Sequence, residues 1–198
     1  KNPTPPHEAA IADLQNPNIG WAYIDQQTFC PSLHQLIPLR THMVKRPMLA
    51  TIEKLLQPIQ APHGNQMVVG YTHPPYRAKT IQLLQHQHRS PKFMICRGVE
   101  GSHQLPLDRR APHIFGTPTT TQEDYISPET VQMPSHPSHN PDTWATETTL
   151  EAGIEALAGK PGMIRDWITY NVTAIIHAFT KQSIKNLKKD VEACKVTF

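Results

Sequence analysis

Phe93-Met94-Ile95-Cys96-Arg97-Gly98-Val99-Glu100-Gly101-Ser102 is the stretch on which the fold turns. Its first four residues form a short apolar run after a helix-like segment, the pattern of a parallel strand buried on both faces. The chain then breaks at Gly98 and Gly101, with Arg97 and Glu100 beside and between them. In open α/β sheets ligands lie beyond the carboxyl ends of the strands, and glycine there lets the backbone approach a ligand closely. A tight turn that needs glycine and nothing else accounts for the same letters.

Working outward, Gln66 to Tyr71 reads as a second strand, and Thr72-His73-Pro74-Pro75 opens a helix with proline in its first turn. Ile81, Leu84 and His88 share one face of that helix. The strand–helix–strand run from Val68 to Cys96 is a βαβ unit, which requires a parallel pair and sets an α/β class. Earlier, Pro47 starts a helix with Leu49, Ile52, Leu55 and Leu56 inward and Pro58 at its end. Lys45 and Arg46 stand at its N-terminus, where two cations and the positive helix end would make an anion site. His73, also at a helix start, would contact a phosphate or a base, or cap the helix.

Residues 1–18 are polar and proline-bearing, with room for a short helix from Ala9 to Leu14. Ile19 to Ile24 reads as a strand, and Pro31 to Arg40 as a helix with Leu33, Leu36 and Ile37 at helical spacing. Beyond the glycine stretch, β segments are expected at His113–Phe115 and Asp124–Ile126. The polar tract Ser127 to Thr143 reads as a mobile surface loop or lid; His136 and His139 within it suggest a loop and not a metal pair. Thr148 and Glu151 form a capping-box pattern for a helix with the stripe Leu150, Ile154 and Leu157, stopped by Gly159. A longer helix from Gly162 would bury Ile164, Trp167, Ile168, Val172, Ile175, Ile176 and Phe179. The resulting division is a polar segment 1–18 and an α/β domain 19–198, with a mobile loop at about 127–143 and a closing helical pair 148–189.

Composition sets outer limits. A chain of 198 residues with 38% hydrophobic content supports one domain with a proper core. A net charge of +3 does not by itself declare a nucleic-acid partner. Three widely spaced cysteines, Cys30, Cys96 and Cys194, suggest neither a disulfide framework nor a zinc site and fit a reducing, cytoplasmic setting. No apolar run approaches the roughly 20 residues of a membrane span.

Three stretches, taken in order and spacing, carry a resemblance. They are Lys45-Arg46-Pro47-Met48-Leu49-Ala50-Thr51, Gly70-Tyr71-Thr72-His73-Pro74-Pro75, and Arg97-Gly98-Val99-Glu100-Gly101-Ser102 followed by Leu105-Pro106. Together they resemble a divergent branch of the anthranilate-phosphoribosyltransferase-like glycosyl transferases, from about Gly20 to the C-terminal helix. The resemblance implies a mostly parallel, twisted sheet flanked by helices on both faces. Its core would include Val68, Val69, Met94, Ile95, Ile154, Leu157, Ile168, Val172 and Ile175. It also implies an N-terminal helical domain lying largely upstream of this chain, so that the chain is expected to be the C-terminal part of a longer, homodimeric protein.

The implied chemistry is transfer of a phosphoribosyl group from its pyrophosphate to a nitrogen nucleophile, with Mg²⁺ held by carboxylates. By that resemblance Arg40, Lys45, Arg46, His73, Arg97, Gly98, Glu100 and Gly101 are the candidate phosphate or substrate residues. Arg46 matches the arginine that anthranilate-specific members use on the acceptor carboxylate, but Ala50 stands where they have asparagine. Where classical members read H-G-x-D-G-x-D-E, this chain has Arg97 for the histidine, Glu100 at the first acid, and His103 and Gln104 for the acidic pair. Glu100 is therefore a weak metal candidate and a true anthranilate enzyme is not expected. The alternative is a nucleic-acid-binding protein on the same scaffold, with Lys45, Arg46, Arg89, Lys92, Arg97, Arg109 and Arg110 as a discontinuous basic groove and Tyr71 and Tyr76 for stacking. Either reading expects Arg46 and the Glu100 turn to converge at one rim of the sheet.

Overall fold

The computed structural model describes residues 7–43, 49–87, 91–136 and 146–196. The chain divides into two compact units, Lys1–Gly64 and Asn65–Phe198. The division falls well past residue 18, because the segments that follow it fold among themselves.

The first unit is a set of short helices: α1 (His7–Gln15), α2 (Gln26–Phe29), α3 (Pro31–His34), α4 (Ile37–Thr41) and α5 (Leu49–Glu53). The Asp25 carboxylate caps α2 by accepting from Thr28 N at 3.1 Å. The helix expected from Pro31 to Arg40 is two pieces, because Pro38 has no N–H to give to a continuous ladder and sits instead in the first turn of α4. Glu53 accepts from Arg40 at 2.6 Å and from Gln26 at 3.1 Å, joining α4 and α2 to the end of α5. The strand expected at Ile19–Ile24 does not form. No other strand in this unit's described residues offers a ladder, and Trp21 and Tyr23 are 69% and 65% exposed.

The second unit holds β1 (Gln66–Gly70), α6 (Pro74–Gln87), β2 (Lys92–Cys96), β3 (Ala111–Gly116), β4 (Thr121–Ile126), α7 (Thr146–Leu157), α8 (Met163–Thr180) and α9 (Ile184–Ala193). The sheet order is β1-β2-β3-β4. β1 and β2 are parallel, in register Gly70 opposite Cys96, with α6 as their crossover. The α/β class stands, but the sheet is mixed and not mostly parallel: β2/β3 and β3/β4 are antiparallel. The cause is local. Thr117 N donates to Thr120 O at 2.8 Å in a tight turn, and a hairpin this short can join only antiparallel strands.

β2 is the centre of the core, with Phe93, Met94, Ile95 and Cys96 fully buried. Met94 and Cys96 pack with Tyr170, Ala174, Ala178 and Phe179 of α8. Strand alternation turns Phe93 and Ile95 to the opposite face, where α6 packs and buries Leu84. Val69 is buried as expected, and Val68 and Ile175 pack at the margin of the cluster. The other expected core positions are displaced. Leu150 is 62% and Ile154 38% exposed, and Leu157, Ile168 and Val172 are half-buried. Helix α8 has apolar residues on more than one face, and the face bearing Tyr170, Ala174, Ala178 and Phe179 is the one that meets the sheet.

Ser127–His136 is held, not loose. Ser127 caps a 3-10 turn over Pro128–Val131, Val131 is fully buried, and Ser135 Oγ and His136 N both donate to Leu107 O at 3.0 Å. The rest of the expected mobile tract, including His139, lies outside the described residues. Helix α7 is already formed at Thr146, so Thr148 lies inside it and is not its cap. The closing pair is three helices, since α8 stops where Lys181 takes a left-handed φ of 59° and α9 restarts at Ile184.

Candidate functional site

The carboxyl ends of β1 and β2 lie side by side, with Tyr71 N donating to Cys96 O at 3.0 Å. From Cys96 the chain enters a short 3-10 turn, Val99–Gly101, closed by Val99 N on Gln104 O at 2.8 Å and Ser102 N on Val99 O at 2.9 Å. Glu100 takes a left-handed conformation, φ 50° and ψ 27°, which a non-glycine residue rarely adopts. Gly101 follows at φ 77°. Packing adds a second constraint. A Cβ on Gly70 or Gly98 would fall less than 3 Å from Ser102 O, and one on Gly101 would overlap Thr72 Oγ1. The Gly70–Thr72 and Gly98–Ser102 backbones are thus in direct contact, which fixes the loop on the strand ends.

Two clamps hold the loop's exit. Asn171 of α8 accepts Leu105 N at 2.7 Å and donates to Leu105 O at 3.3 Å, and Trp167 Nε1 donates to the same oxygen at 2.6 Å. Cys96 Sγ donates to His103 O at 3.3 Å from beneath. Asn171 and Trp167 were not among the site candidates. The sequence signal available for them was an aromatic and a polar residue four apart, on one face of α8.

Arg97 is exposed at the end of β2, with its N–H on Pro112 O at 3.1 Å. No carboxylate of the described residues forms an ion pair with it. It lies beside Tyr71, whose phenol is pushed up by burial while the charges of Arg77 and Arg97 pull it back. Arg77 is itself paired with Glu123. The start of α6 supplies fewer donors than its position suggests. Pro74 and Pro75 carry no N–H, and Tyr76 N donates to His73 O at 3.0 Å. His73 is exposed there, with its ring 6.4 Å from that of Tyr76. Positive charge at this rim therefore comes from side chains and not from a helix end.

The candidates from the sequence separate into groups. Arg97, Gly98, Glu100, Gly101 and His73 come together at the β1/β2 carboxyl ends. Arg109 and Arg110 precede β3, which runs antiparallel to β2, so they are at the same end of the sheet; Arg109 pairs with Asp108 at 2.7 Å and Arg110 stacks 4.9 Å from the Tyr125 ring centre. Lys92 begins β2, so it stands at the other end of the strand, about 16 Å of extended chain away from Arg97, and its Nζ reaches Phe179 O at 3.4 Å. One groove running from Lys92 to Arg97 is not what the strand direction produces. Arg40 belongs to the first unit and is paired with Glu53. Lys45, Arg46 and Arg89 lie outside the described residues, and so does the expected meeting of Arg46 with the Glu100 turn.

A resident Mg²⁺ does not fit the residues of this loop. Such an ion takes oxygen ligands, usually one or two carboxylates with phosphate and water. Glu100 is the one carboxylate between Arg97 and Gln104, and no group of three potential metal ligands occurs among the described residues. Nor is any described helix long and apolar enough to cross a membrane.

No protein-family profile matches the sequence. The chain is 26% identical over 162 residues to an uncharacterized protein of Aquifex aeolicus (strain VF5), covering 79% of this chain and 48% of that protein. In structure it is similar to Saccharomyces cerevisiae anthranilate phosphoribosyltransferase in complex with PRPP and Mg, with a TM-score of 0.68 and 18% identity over 89% of this chain and 50% of that one. A variant of the yeast enzyme with Mg bound superposes at a TM-score of 0.71, again at 18% identity, over 89% of this chain and 51% of that one. The Thermus thermophilus enzyme gives 0.63 at 19% identity, over 88% and 51% of the respective chains. The chain spans about half the length of the proteins it matches, and over that half it has the α/β fold of the anthranilate phosphoribosyltransferases.

Proposed function

We propose that the loop Arg97–Gly101 binds the phosphate groups of a phosphoribosyl pyrophosphate-like anion, in a glycosyl transferase domain that is not a true anthranilate enzyme. The observation that carries this reading is Arg97: an exposed guanidinium without a carboxylate partner among the described residues, at the carboxyl end of a parallel strand pair, on a loop fixed by backbone-to-backbone contact. Ligand sites in open α/β sheets lie at such ends. A solved protein of the same fold holds PRPP and Mg. In this chain the Arg97 guanidinium would clamp phosphate oxygens in its fork geometry, His73 would face the same rim, and Glu100 would hold its turn. Any Mg²⁺ would arrive with the pyrophosphate.

The test is isothermal titration of phosphoribosyl pyrophosphate into the protein, with and without Mg²⁺, against Arg97→Ala. A charge-assisted contact contributes about 1.5–3 kcal/mol, so Arg97→Ala should weaken binding about ten- to a hundredfold. Anthranilate added to the bound protein should release no pyrophosphate. Equal binding by wild type and Arg97→Ala would refute the assignment.

A second reading, binding of single-stranded nucleic acid, draws on Arg110 stacked over Tyr125, a ring that is 51% exposed at the same end of the sheet. Such platforms bind bases by stacking and phosphates by charge, with steep salt dependence. Anisotropy of a labelled oligothymidylate decides it. Affinity that falls with salt and drops in Tyr125→Ala supports this reading, and absence of binding at low salt removes it.

A further inference from the structure

The rim that carries Arg97 continues across the sheet, and its far end is aromatic. Arg97 lies two residues beyond Ile95, and its N–H stays in the ladder on Pro112 O at 3.1 Å. Strand alternation therefore puts its side chain on the α6 face, with Phe93 and Ile95. Register carries that face outward, since Pro112 on β3 stands opposite Tyr125 on β4. Tyr71 ends the row on the β1 side, and its phenol is acted on by the charges of Arg77, Arg97 and Glu123 together. Two strand spacings, about 10 Å, separate Arg97 from Tyr125.

The two ends of this row differ in chemistry. At β2 stands a guanidinium that pairs with no carboxylate of the described residues. At β4 the Tyr125 ring is half exposed, with the Arg110 guanidinium 4.9 Å from its centre. The acids beside Tyr125 do not oppose an anion here. Glu123, on the same face, takes both Arg77 guanidinium nitrogens, and Asp124 alternates to the other face, where it acts on His113. A tyrosine with a stacked guanidinium is a platform for a flat base, and an unpaired guanidinium takes phosphate oxygens. A nucleotide carries both groups with one ribose between them, a span that matches two strand spacings. Tyr71 is only 6% exposed and offers no second platform, which favours a single nucleotide over a strand.

We propose that the ligand of this rim is a nucleoside diphosphate, with its base against Tyr125 and Arg110 and its phosphates on Arg97. The inference rests on the phosphate reading of Arg97 and adds the ligand's class.

Isothermal titration of ADP against inorganic pyrophosphate in the same buffer tests it. ADP should bind about tenfold more tightly, the effect of stacking one base. Tyr125→Leu, which keeps an apolar side chain in the strand, should bring ADP down to the level of pyrophosphate and leave pyrophosphate unchanged. Arg110→Ala, at an exposed side chain, should act in the same direction, and a thermal melt confirms that both variants are folded. Arg97→Ala should weaken both ligands at least tenfold. Equal affinity for ADP and pyrophosphate, both lost in Arg97→Ala, overturns the nucleotide and leaves the phosphate reading standing. Absence of binding by either ligand removes the phosphate reading and the nucleotide with it. An ADP advantage that survives both Tyr125→Leu and Arg110→Ala overturns the proposal, as does an oligothymidylate that displaces ADP at a tenfold lower concentration.

Discussion

Two glycine-bearing regions of the same unit are built in opposite ways. At the strand ends Gly70, Gly98 and Gly101 have no room for a methyl group, because backbone or Thr72 occupies the space. In α7, Gly153 has empty space on the side where its methyl would stand. The first set is required by contacts within the chain, and its loop is held in a conformation with Glu100 and Gly101 left-handed. The second is required by no contact among the described residues. Glycine thus marks rigid positioning in one place and an unfilled surface in the other, and only coordinates distinguish the two.

Substitution breaks or sharpens that contrast. The largest effect is expected from Gly98→Ala, whose Cβ would collide with backbone atoms of Ser102 and Gln104 that cannot swing aside. Urea denaturation should show a loss of about 3 kcal/mol or more, the upper range for overpacking. Next is Asn171→Ala, which strips the Leu105 N–H of its side-chain acceptor and should cost about 1–3 kcal/mol. The same variant should raise amide exchange in the residues after Ser102, whereas a purely helical defect would raise it in α8 alone. Tyr170→Phe works in the other direction. Tyr170 Oη is buried without a partner, and burial holds its phenol far above the ordinary range. Removing the hydroxyl should leave stability unchanged or raise it by about 1 kcal/mol. Gly153→Ala should stabilise by about 0.4–1 kcal/mol through helix propensity and the unfolded chain. A loss there would contradict the open space beside it.

The smallest effect is a slope with pH. His113 is shifted down from 6.5, first by burial and then by Lys181 and His177, with Asp124 opposing. Its Nδ1 is buried without a partner. The unfolded chain therefore binds a proton at higher pH than the folded one. Stability is fully present above 6.5 and is lost as pH falls from there through the lower folded value. His113→Leu should flatten that part of a stability–pH curve measured by denaturant midpoint.

Much of the sheet was legible. The apolar run Phe93–Cys96, the glycine break and the proline-opened helix give β2, its loop and α6 directly, because each rests on local backbone chemistry. The two β segments after the loop were legible as strands, but their direction relative to each other depended on the four-residue turn at Thr117–Thr120. What failed was the choice of face. Helix α8 offers an apolar stripe at Ile164, Ile168, Val172 and Ile175 and another around Tyr170, Ala174 and Ala178. Periodicity cannot say which one meets a sheet. The fit against Met94 and Cys96 of β2 decides it, and that is a property of the partner surface. The strand read at Ile19–Ile24 failed for a related reason, since β propensity without a neighbouring strand leaves the backbone groups unpaired. At the candidate site, Arg97, Gly98, Glu100 and Gly101 fall together because they are contiguous in sequence. Asn171 and Trp167 do not, since they reach the loop from more than sixty residues away.

Hydrogen–deuterium exchange with and without phosphoribosyl pyrophosphate reads the Arg97 loop and α7 in one experiment. Phosphate binding at the loop predicts slowed exchange in peptides spanning Arg97 to Ser102 and around Tyr71–His73, lost in Arg97→Ala, with α7 unchanged. Protection in α7 and α8 without protection at the Arg97 loop would contradict it.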